Sequence, residues 1–148
     1  MKISKEIQLD YGHTLPNHYS FCNQIHGHRA RIIATIEGEV SKKEGDSNQG
    51  MVLDFKFLKE AMMNNIHAVL DHGFAVWCLD GDDLNFIANR NKKFLVTFQP
   101  PTAEYLAEWA FYQIVNEVPK PLKLVEVQWW ETPSSVATYL APAPLVKQ

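Results

Sequence analysis

The stretch Cys22-Asn23-Gln24-Ile25-His26-Gly27-His28 places a thiol just before a His-x-His pair, and a further histidine, His13, lies a short way upstream. Side chains two residues apart on a strand point to the same face, so His26 and His28 are predicted to act together. With His13 from a neighbouring strand they would form a three-histidine zinc site, whose fourth tetrahedral position stays open for water or substrate. A cation nearby favours the thiolate form of Cys22. The pattern therefore predicts zinc-assisted proton transfer on a polar small molecule.

The remaining histidines and cysteines do not extend this motif. His18 and His67 are interpreted as surface or internally satisfied residues. Cys22 and Cys78 are the only cysteines, and they lack the paired spacing of a structural zinc finger. Two cysteines do not form a disulfide framework either, so a reducing cytoplasm is the expected compartment.

Composition places the chain among ordinary globular proteins. It has 148 residues, of which 46% are hydrophobic and 21% charged, so we expect one domain over residues 1–148 with a real core. The net charge of −3 gives no reason to expect nucleic acid or an anionic membrane as a partner. No apolar run approaches the ~20 residues of a membrane span, and the first residues look like the start of a strand rather than a signal peptide.

Hydrophobic periodicity predicts an α+β fold. Alternating residues 3–13 and the β-branched run 28–40 predict two strands, and residues 122–131 and 134–140 predict two more. Between these pairs, Asp54 and Thr102 are suited to cap two amphipathic helices, and Gly73 is suited to a left-handed cap after the first. Residues 74–99 are harder to assign, with a turn at 80–83, a short helix over 84–90 and an extended piece over 94–98. The order predicts a four-stranded antiparallel sheet with both helices on one face.

Five separated segments and a late Glu131-Thr132 together resemble the 6-pyruvoyltetrahydropterin synthase / 6-carboxytetrahydropterin synthase family. In chain order, the segments are Gly12-His13-Thr14-Leu15, Cys22 to His28, Met51-Val52-Leu53-Asp54-Phe55, Leu70-Asp71-His72 and Pro101-Thr102-Ala103-Glu104. They span nearly the whole chain, and the Cys-x3-His-Gly-His pattern followed by Leu-Asp-His is specific.

The resemblance assigns a role to each matched residue. It implies that the three histidines bind Zn²⁺, that Cys22 is the catalytic base, and that Asp71 and His72 complete a proton relay. Glu131 would anchor the pterin, with help from Thr102. These roles are chemically reasonable, because a guanidine-like pterin edge presents paired N–H donors that a carboxylate can accept. Each residue also has a plain structural reading, such as helix capping for Thr102, and only their occurrence together in order favours the functional one.

Within the family, the short loop between Cys22 and His26 resembles the bacterial 6-carboxytetrahydropterin synthases of 7-deazaguanine (queuosine) biosynthesis. Such an enzyme is a lyase that converts 7,8-dihydroneopterin triphosphate to 6-carboxy-5,6,7,8-tetrahydropterin and releases acetaldehyde and triphosphate. The alternative is a 6-pyruvoyltetrahydropterin synthase, in which this loop is typically longer. Arg29 departs from the family pattern, where a smaller polar residue is usual after His-Gly-His.

The resemblance also implies the tunnelling fold, in which sheets of several subunits close an oligomeric barrel. A homo-oligomer, either a trimer or a hexamer built as a dimer of trimers, is therefore expected. The sequence supports this independently, since a four-stranded sheet has two edges to cover. Trp129 and Trp130 are adjacent in one strand, so only one of their rings can join the core of its own chain.

Two further classes stay open. A cupin-like oxygenase also uses His-x-His but needs a glutamate three or four residues later, where this chain has Arg31 and Ile32. A non-catalytic module that binds zinc or pterin would be expected to lack the thiol or the Asp71-His72 pair, and this chain has both.

Overall fold

The computed structural model describes residues 1–143. Six strands form one mixed sheet around which the helices are arranged. The strands are β1 (Lys2–His13), β2 (His26–Glu37), β3 (Gly73–Trp77), β4 (Phe94–Thr97), β5 (Lys123–Thr132) and β6 (Ser135–Leu140). Their order across the sheet is β4-β3-β1-β2-β5-β6, so β4 and β6 lie at its edges.

The long antiparallel pair of β1 and β2 forms the centre of the sheet. The strands pair from Lys2 opposite Glu37 to His13 opposite His26. On one face the alternating side chains are buried, among them Leu9 on β1 and Ile32 on β2. This alternation confirms the two predicted strands, because a half-buried antiparallel strand places every second side chain in the core.

The prediction of a four-stranded, wholly antiparallel sheet is wrong. Two short strands, β3 and the extended piece predicted at 94–98 (β4), extend the sheet beyond β1 and run parallel to it and to each other. Phe74, Ala75 and Val76 are consecutive and all buried. Ala75 joins the main core, whereas Phe74 and Val76 pack with Ile87 on the other face. A strand covered on both faces shows no polar–apolar alternation, so its periodicity did not reveal it.

The helices cover both faces of the sheet. A continuous helix consists of α1 (Phe55–Met62), a π-helical segment (Met63–His67) and α2 (Ala68–Leu70), and it is followed along the chain by α3 (Gly81–Arg90) and α4 (Ala103–Ile114). The first helix and α4 share the main core, as predicted for two helices on one face. The short helix predicted over 84–90 is present as α3, which packs against the opposite face and begins within the predicted turn at 80–83.

The predicted helix caps are present. The Asp54 carboxylate accepts a hydrogen bond from the Lys56 N–H, and the Thr102 hydroxyl oxygen accepts one from the Tyr105 N–H. Leu58, together with Met62 and Ile66 further along, forms the buried stripe of the first helix. Phe55, the first residue of that helix, is 51% exposed, because it lies in the first turn, at the outer side of the helix.

The two adjacent tryptophans face opposite sides of β5, as predicted. Trp129 is fully buried in the main core. Trp130 is half-buried on the other face, where the Arg31 guanidinium lies 4.9 Å from its ring centroid. Among residues 1–143, the structure contains no helix long and apolar enough to cross a membrane.

Candidate metal centre and active site

Strand pairing brings three histidines together at the end of β1 and β2. His13 lies directly opposite His26, and Tyr11 lies opposite His28. Because side chains alternate along a strand, His13, His26 and His28 project from the same face. One ligand atom from each histidine lies within 4.8 Å of the others. Gly27 allows this close strand approach, since a Cβ there would lie 2.7 Å from the Tyr11 carbonyl oxygen.

Backbone carbonyl groups fix the tautomers of two of these rings. His13 Nδ1 lies 2.7 Å from the Pro101 carbonyl oxygen, and His26 Nδ1 lies 2.7 Å from that of Gln24. A carbonyl oxygen only accepts hydrogen bonds, so both Nδ1 atoms carry the proton and donate it. The two Nε2 atoms, 3.0 Å apart, then present lone pairs to each other when the rings are neutral.

This donor set fits a divalent metal ion. Burial lowers the pKa of His13 to about 4 and also lowers the pKa of His28, which favours neutral, ligating imidazoles. The Nε2 atom of His28 is buried and has no hydrogen-bond partner within residues 1–143. Two ligands on a tetrahedral zinc would lie about 3.3 Å apart, close to the observed separation of the Nε2 atoms of His13 and His26. Hydrogen bonds from Nδ1 to carbonyl groups are the usual outer-shell support of metal-binding histidines.

Glu131 lies beside the three histidines. Its Oε1 atom is 3.6 Å from His13 Nε2 and 3.8 Å from His28 Nε2. The Tyr11 hydroxyl donates a hydrogen bond to the same oxygen at 3.2 Å and accepts one from Trp129 Nε1 at 3.4 Å. Burial, reinforced by the Glu131 charge, raises the pKa of Tyr11, so the phenol stays a neutral donor.

Two cavities meet at His28. The first, which we call the Glu131 cavity, has a volume of about 400 Å³ and is lined by Gln8, Gly27, His28, Arg29, Arg31, Trp130, Glu131, Thr132 and Pro133. The second, the His72 cavity, has a volume of about 420 Å³ and is lined by Asp10, Tyr11, Gly12, Gly27, His28, Arg29, His72 and Gly73. A ligand in either cavity would therefore lie next to the histidine cluster.

Asp71 and His72 form a hydrogen-bonded pair at the His72 cavity. The Asp71 Oδ2 atom accepts from His72 Nδ1 at 2.8 Å, and Oδ1 accepts from the Asp10 N–H at 3.0 Å. Desolvation would raise the pKa of Asp71, but these hydrogen bonds and the nearby His67 outweigh it and lower the pKa. The carboxylate thus orients a ring whose side chain is 80% exposed.

The left-handed residue after the first helix is His72, with φ of 55°, and not Gly73 as predicted. The His72 N–H donates to the Asp10 carbonyl at 2.7 Å, which holds the backbone in this conformation. Gly73 instead begins β3, where a Cβ would lie 2.9 Å from the Leu70 carbonyl oxygen.

Cys22 is not one of the residues whose ligand atoms cluster with those of the three histidines in the described part of the chain. Cys22 lies half-buried in a short 3-10 turn (Phe21–Asn23), and it lines neither cavity formed by the described residues. Thr102 caps α4 directly after Pro101, whose carbonyl contacts His13. The predicted residues thus divide into a histidine–Glu131 cluster, an Asp71–His72 pair that lines a cavity shared with His28, and a thiol that lines neither cavity.

Sequence reasoning overlooked Tyr11 as a site residue. Its position was a usable signal, because Tyr11 precedes His13 by two residues and must share its face on a strand. Trp129 and Glu131 both bond the Tyr11 hydroxyl, although the pairing of β5 with β6 is irregular between Trp130 and Thr132. Strand alternation therefore predicts the face of Tyr11, whereas the position of Glu131 in this chain of hydrogen bonds is seen only in the structure.

Comparisons with known proteins agree with this architecture. Residues 2–142 match the family model described as 6-pyruvoyl tetrahydropterin synthase. A 6-carboxy-5,6,7,8-tetrahydropterin synthase of Haemophilus influenzae is 31% identical over 143 residues, covering 93% of this chain and 97% of that protein.

Solved structures share the fold. An uncharacterized protein from Wolinella succinogenes superposes with a TM-score of 0.76 at 24% identity, covering 96% of this chain and 98% of that one. The 6-pyruvoyl tetrahydropterin synthase of Caenorhabditis elegans gives a TM-score of 0.70 at 24% identity, with 96% of both chains covered. Because the family model matches nearly the whole length of this chain, the chain belongs to the 6-pyruvoyl tetrahydropterin synthase family of pterin-processing enzymes.

Proposed function

We propose that this protein is a zinc-dependent 6-carboxy-5,6,7,8-tetrahydropterin synthase. It would convert 7,8-dihydroneopterin triphosphate to 6-carboxytetrahydropterin, with release of acetaldehyde and triphosphate, in the cytoplasmic biosynthesis of 7-deazaguanine (queuosine). The observation that carries the proposal is the convergence of the Nε2 atoms of His13, His26 and His28 beside the Glu131 carboxylate. The name of the Haemophilus influenzae relative supports the carboxy product.

In this proposal Glu131 reads the pterin ring. Its carboxylate would accept paired N–H donors from the guanidine-like edge of the ring, with Thr102 assisting. The hydrogen bond from Tyr11 occupies only one lone-pair direction of Oε1, so Oε2 and the rest of Oε1 remain available. Tyr11 in turn is held by Trp129, which keeps the carboxylate orientated before the substrate arrives.

Zinc bound to the three histidines would polarise the side-chain oxygens of the substrate and acidify the adjacent C–H. Cys22 is proposed as the base that removes this proton, and His72, orientated by Asp71, as the group that delivers one on the other side. His72 already faces a cavity shared with His28. Because the thiol lines neither cavity of its own chain, we propose that neighbouring subunits of a trimer or hexamer complete the site.

A 6-pyruvoyltetrahydropterin synthase is the alternative function, and the Caenorhabditis elegans structure bears that name. Both reactions release triphosphate, so the carbon products separate them. Purified zinc-loaded protein would be incubated with 7,8-dihydroneopterin triphosphate, and the products would be identified by mass spectrometry and an acetaldehyde assay. Acetaldehyde with 6-carboxytetrahydropterin is the expected result. A three-carbon side chain retained on the pterin would establish the alternative, and no consumption of substrate would indicate a binding module.

A further inference from the structure

The Glu131 cavity extends from the histidine cluster to the face of the sheet opposite the main core. Glu131 and His28 lie on the core-facing side, whereas Arg31 and Trp130 are paired neighbours on the opposite side. The cavity reaches both faces because β5 pairs with β2 only from Arg31 to Glu37. Residues 27–29 of β2 therefore form an edge that β5 leaves uncovered, and a ligand can pass around it.

Two cations lie along this part of the cavity, and they differ in how well they are paired. Arg29 donates two hydrogen bonds to the Asp10 carboxylate, at 2.8 and 3.0 Å. Arg31 has only a loose ion pair, with its Nε atom 3.6 Å from Glu6 Oε2, which is longer than a hydrogen bond. Glu6 is partly engaged elsewhere, since its Oε1 atom accepts from Gln8 Nε2 at 3.1 Å.

Arg31 is also held in place while its donors are unfilled. Its guanidinium lies over the Trp130 ring, and that ring is fixed by a 2.8 Å hydrogen bond from Nε1 to Gln128. The Nε atom of Arg31 is buried and has no hydrogen-bond partner within residues 1–143. A charged guanidinium group that is held in place, lines a cavity and has N–H donors without partners is suited to bind a phosphate-type anion.

We propose that Arg31 binds the triphosphate group of the substrate, with the Arg29–Asp10 pair beside it. This inference rests on the proposed function, which places the pterin at Glu131. Arg31 lies three residues from His28 along β2, or about 10 Å. An extended three-carbon side chain that carries three phosphoryl groups spans that distance. Arg31 is therefore a specificity residue that selects the phosphorylated pterin over the free alcohol.

The test compares two unreactive ligands, neopterin triphosphate and neopterin, by fluorescence titration of the zinc-loaded protein. The wild-type protein should bind the triphosphate more tightly than neopterin. In Arg31→Gln this preference should fall by about 10- to 100-fold, because a hydrogen-bonded charge is lost. Binding of neopterin should stay unchanged, and the salt dependence of triphosphate binding should weaken. Arg31→Lys keeps the charge without the planar fork and should be intermediate.

Arg90→Gln is the matched control, since Arg90 is a remote arginine on α3 that also stacks on an aromatic ring, Phe86. It should behave as wild type. A full triphosphate preference in Arg31→Gln, with thermal unfolding like wild type, would overturn the inference and leave the proposed function intact. A wild-type protein that binds neither pterin would instead remove the proposed function, and this inference with it.

Discussion

The substitution Tyr11→Phe isolates one hydroxyl group at the centre of the candidate site. Tyr11 is 4% exposed, and its ring packs edge-on against Trp129 with a centroid distance of 5.4 Å. Phenylalanine preserves that packing. It removes the acceptor for Trp129 Nε1 and the donor to Glu131 Oε1, so any change reports on the two hydrogen bonds alone.

The expected cost follows from the burial and length of these bonds. Leaving a buried donor such as Trp129 Nε1 unsatisfied costs about 1–3 kcal/mol. Both bonds are long, at 3.4 and 3.2 Å, which places the expected loss in the lower part of that range, about 1–2 kcal/mol. For a chain of this length, that loss lowers the melting temperature by about 3–8 °C. Glu131 also loses an orientating partner, so pterin affinity should fall by about two- to tenfold.

The matched control is Tyr112→Phe. The Tyr112 hydroxyl also makes a hydrogen bond, 3.0 Å from the Tyr139 hydroxyl, but Tyr112 is 51% exposed and water can replace the partner. We expect a loss below about 0.5 kcal/mol there. Urea unfolding and differential scanning calorimetry of the metal-free proteins give both values, and fluorescence titration with neopterin gives the affinities. If Tyr11→Phe is no more destabilising than Tyr112→Phe, the hydrogen-bonded chain does not support the site.

Four other substitutions or conditions test the remaining parts of the site. His26→Ala should lose zinc measured by mass spectrometry, whereas His18→Ala should keep one zinc per chain; full zinc content in His26→Ala would refute the three-histidine ligand set. Cys22→Ala should lower turnover by about 10²–10⁴-fold without loss of zinc or pterin binding, and Cys78→Ala should be normal, with the reverse pattern moving the base to Cys78. The metal-free protein should lose stability on acidification, because the pKa of His13 is about 4 in the fold and about 6.5 in the unfolded chain, which therefore binds the proton first. His13 should contribute roughly 2 kcal/mol to the loss between pH 7 and pH 5, so the loss should become smaller in His13→Asn, where His28, whose pKa is also lowered, still contributes; an equally steep loss in that variant would contradict the assignment. Light scattering at micromolar concentration should show three or six chains, since β4 and β6 leave two sheet edges open, and a stable, fully active monomer would contradict the shared site.

The sequence predicts those helices and strands that have one solvent-exposed face and one buried face. The alternation of exposed and buried side chains along β1, and the helix caps at Asp54 and Thr102, can be recognised from the local sequence and are present in the fold. The strand β3 produces no such signal, because it is buried on both faces, whereas β4 lies in the extended piece that the sequence predicts at 94–98. A short apolar run does not distinguish a buried strand from a piece of helix.

The candidate site shows a similar division. His13, His26 and His28 are predictable because strand alternation and antiparallel pairing place them on one face. The conformation of His72 is not, because its positive φ depends on a hydrogen bond to Asp10, more than sixty residues earlier in the chain. The location of Cys22 depends on a loop without periodicity, so only three-dimensional packing decides which cavity its thiol can reach.

The pairing of His13 with His26 has a consequence for how the chain folds. Strands as long as β1 and β2, with twelve residues each, can mispair by one or two positions during folding. Any such slip moves His13 away from His26 and separates the ligand atoms. A metal ion held as proposed would bind only when β1 and β2 are correctly paired. Its binding free energy would therefore stabilise the native register and no misaligned one. The histidine cluster would thus select the native strand register during folding. The supply of metal would then influence the yield of native protein, independently of any substrate.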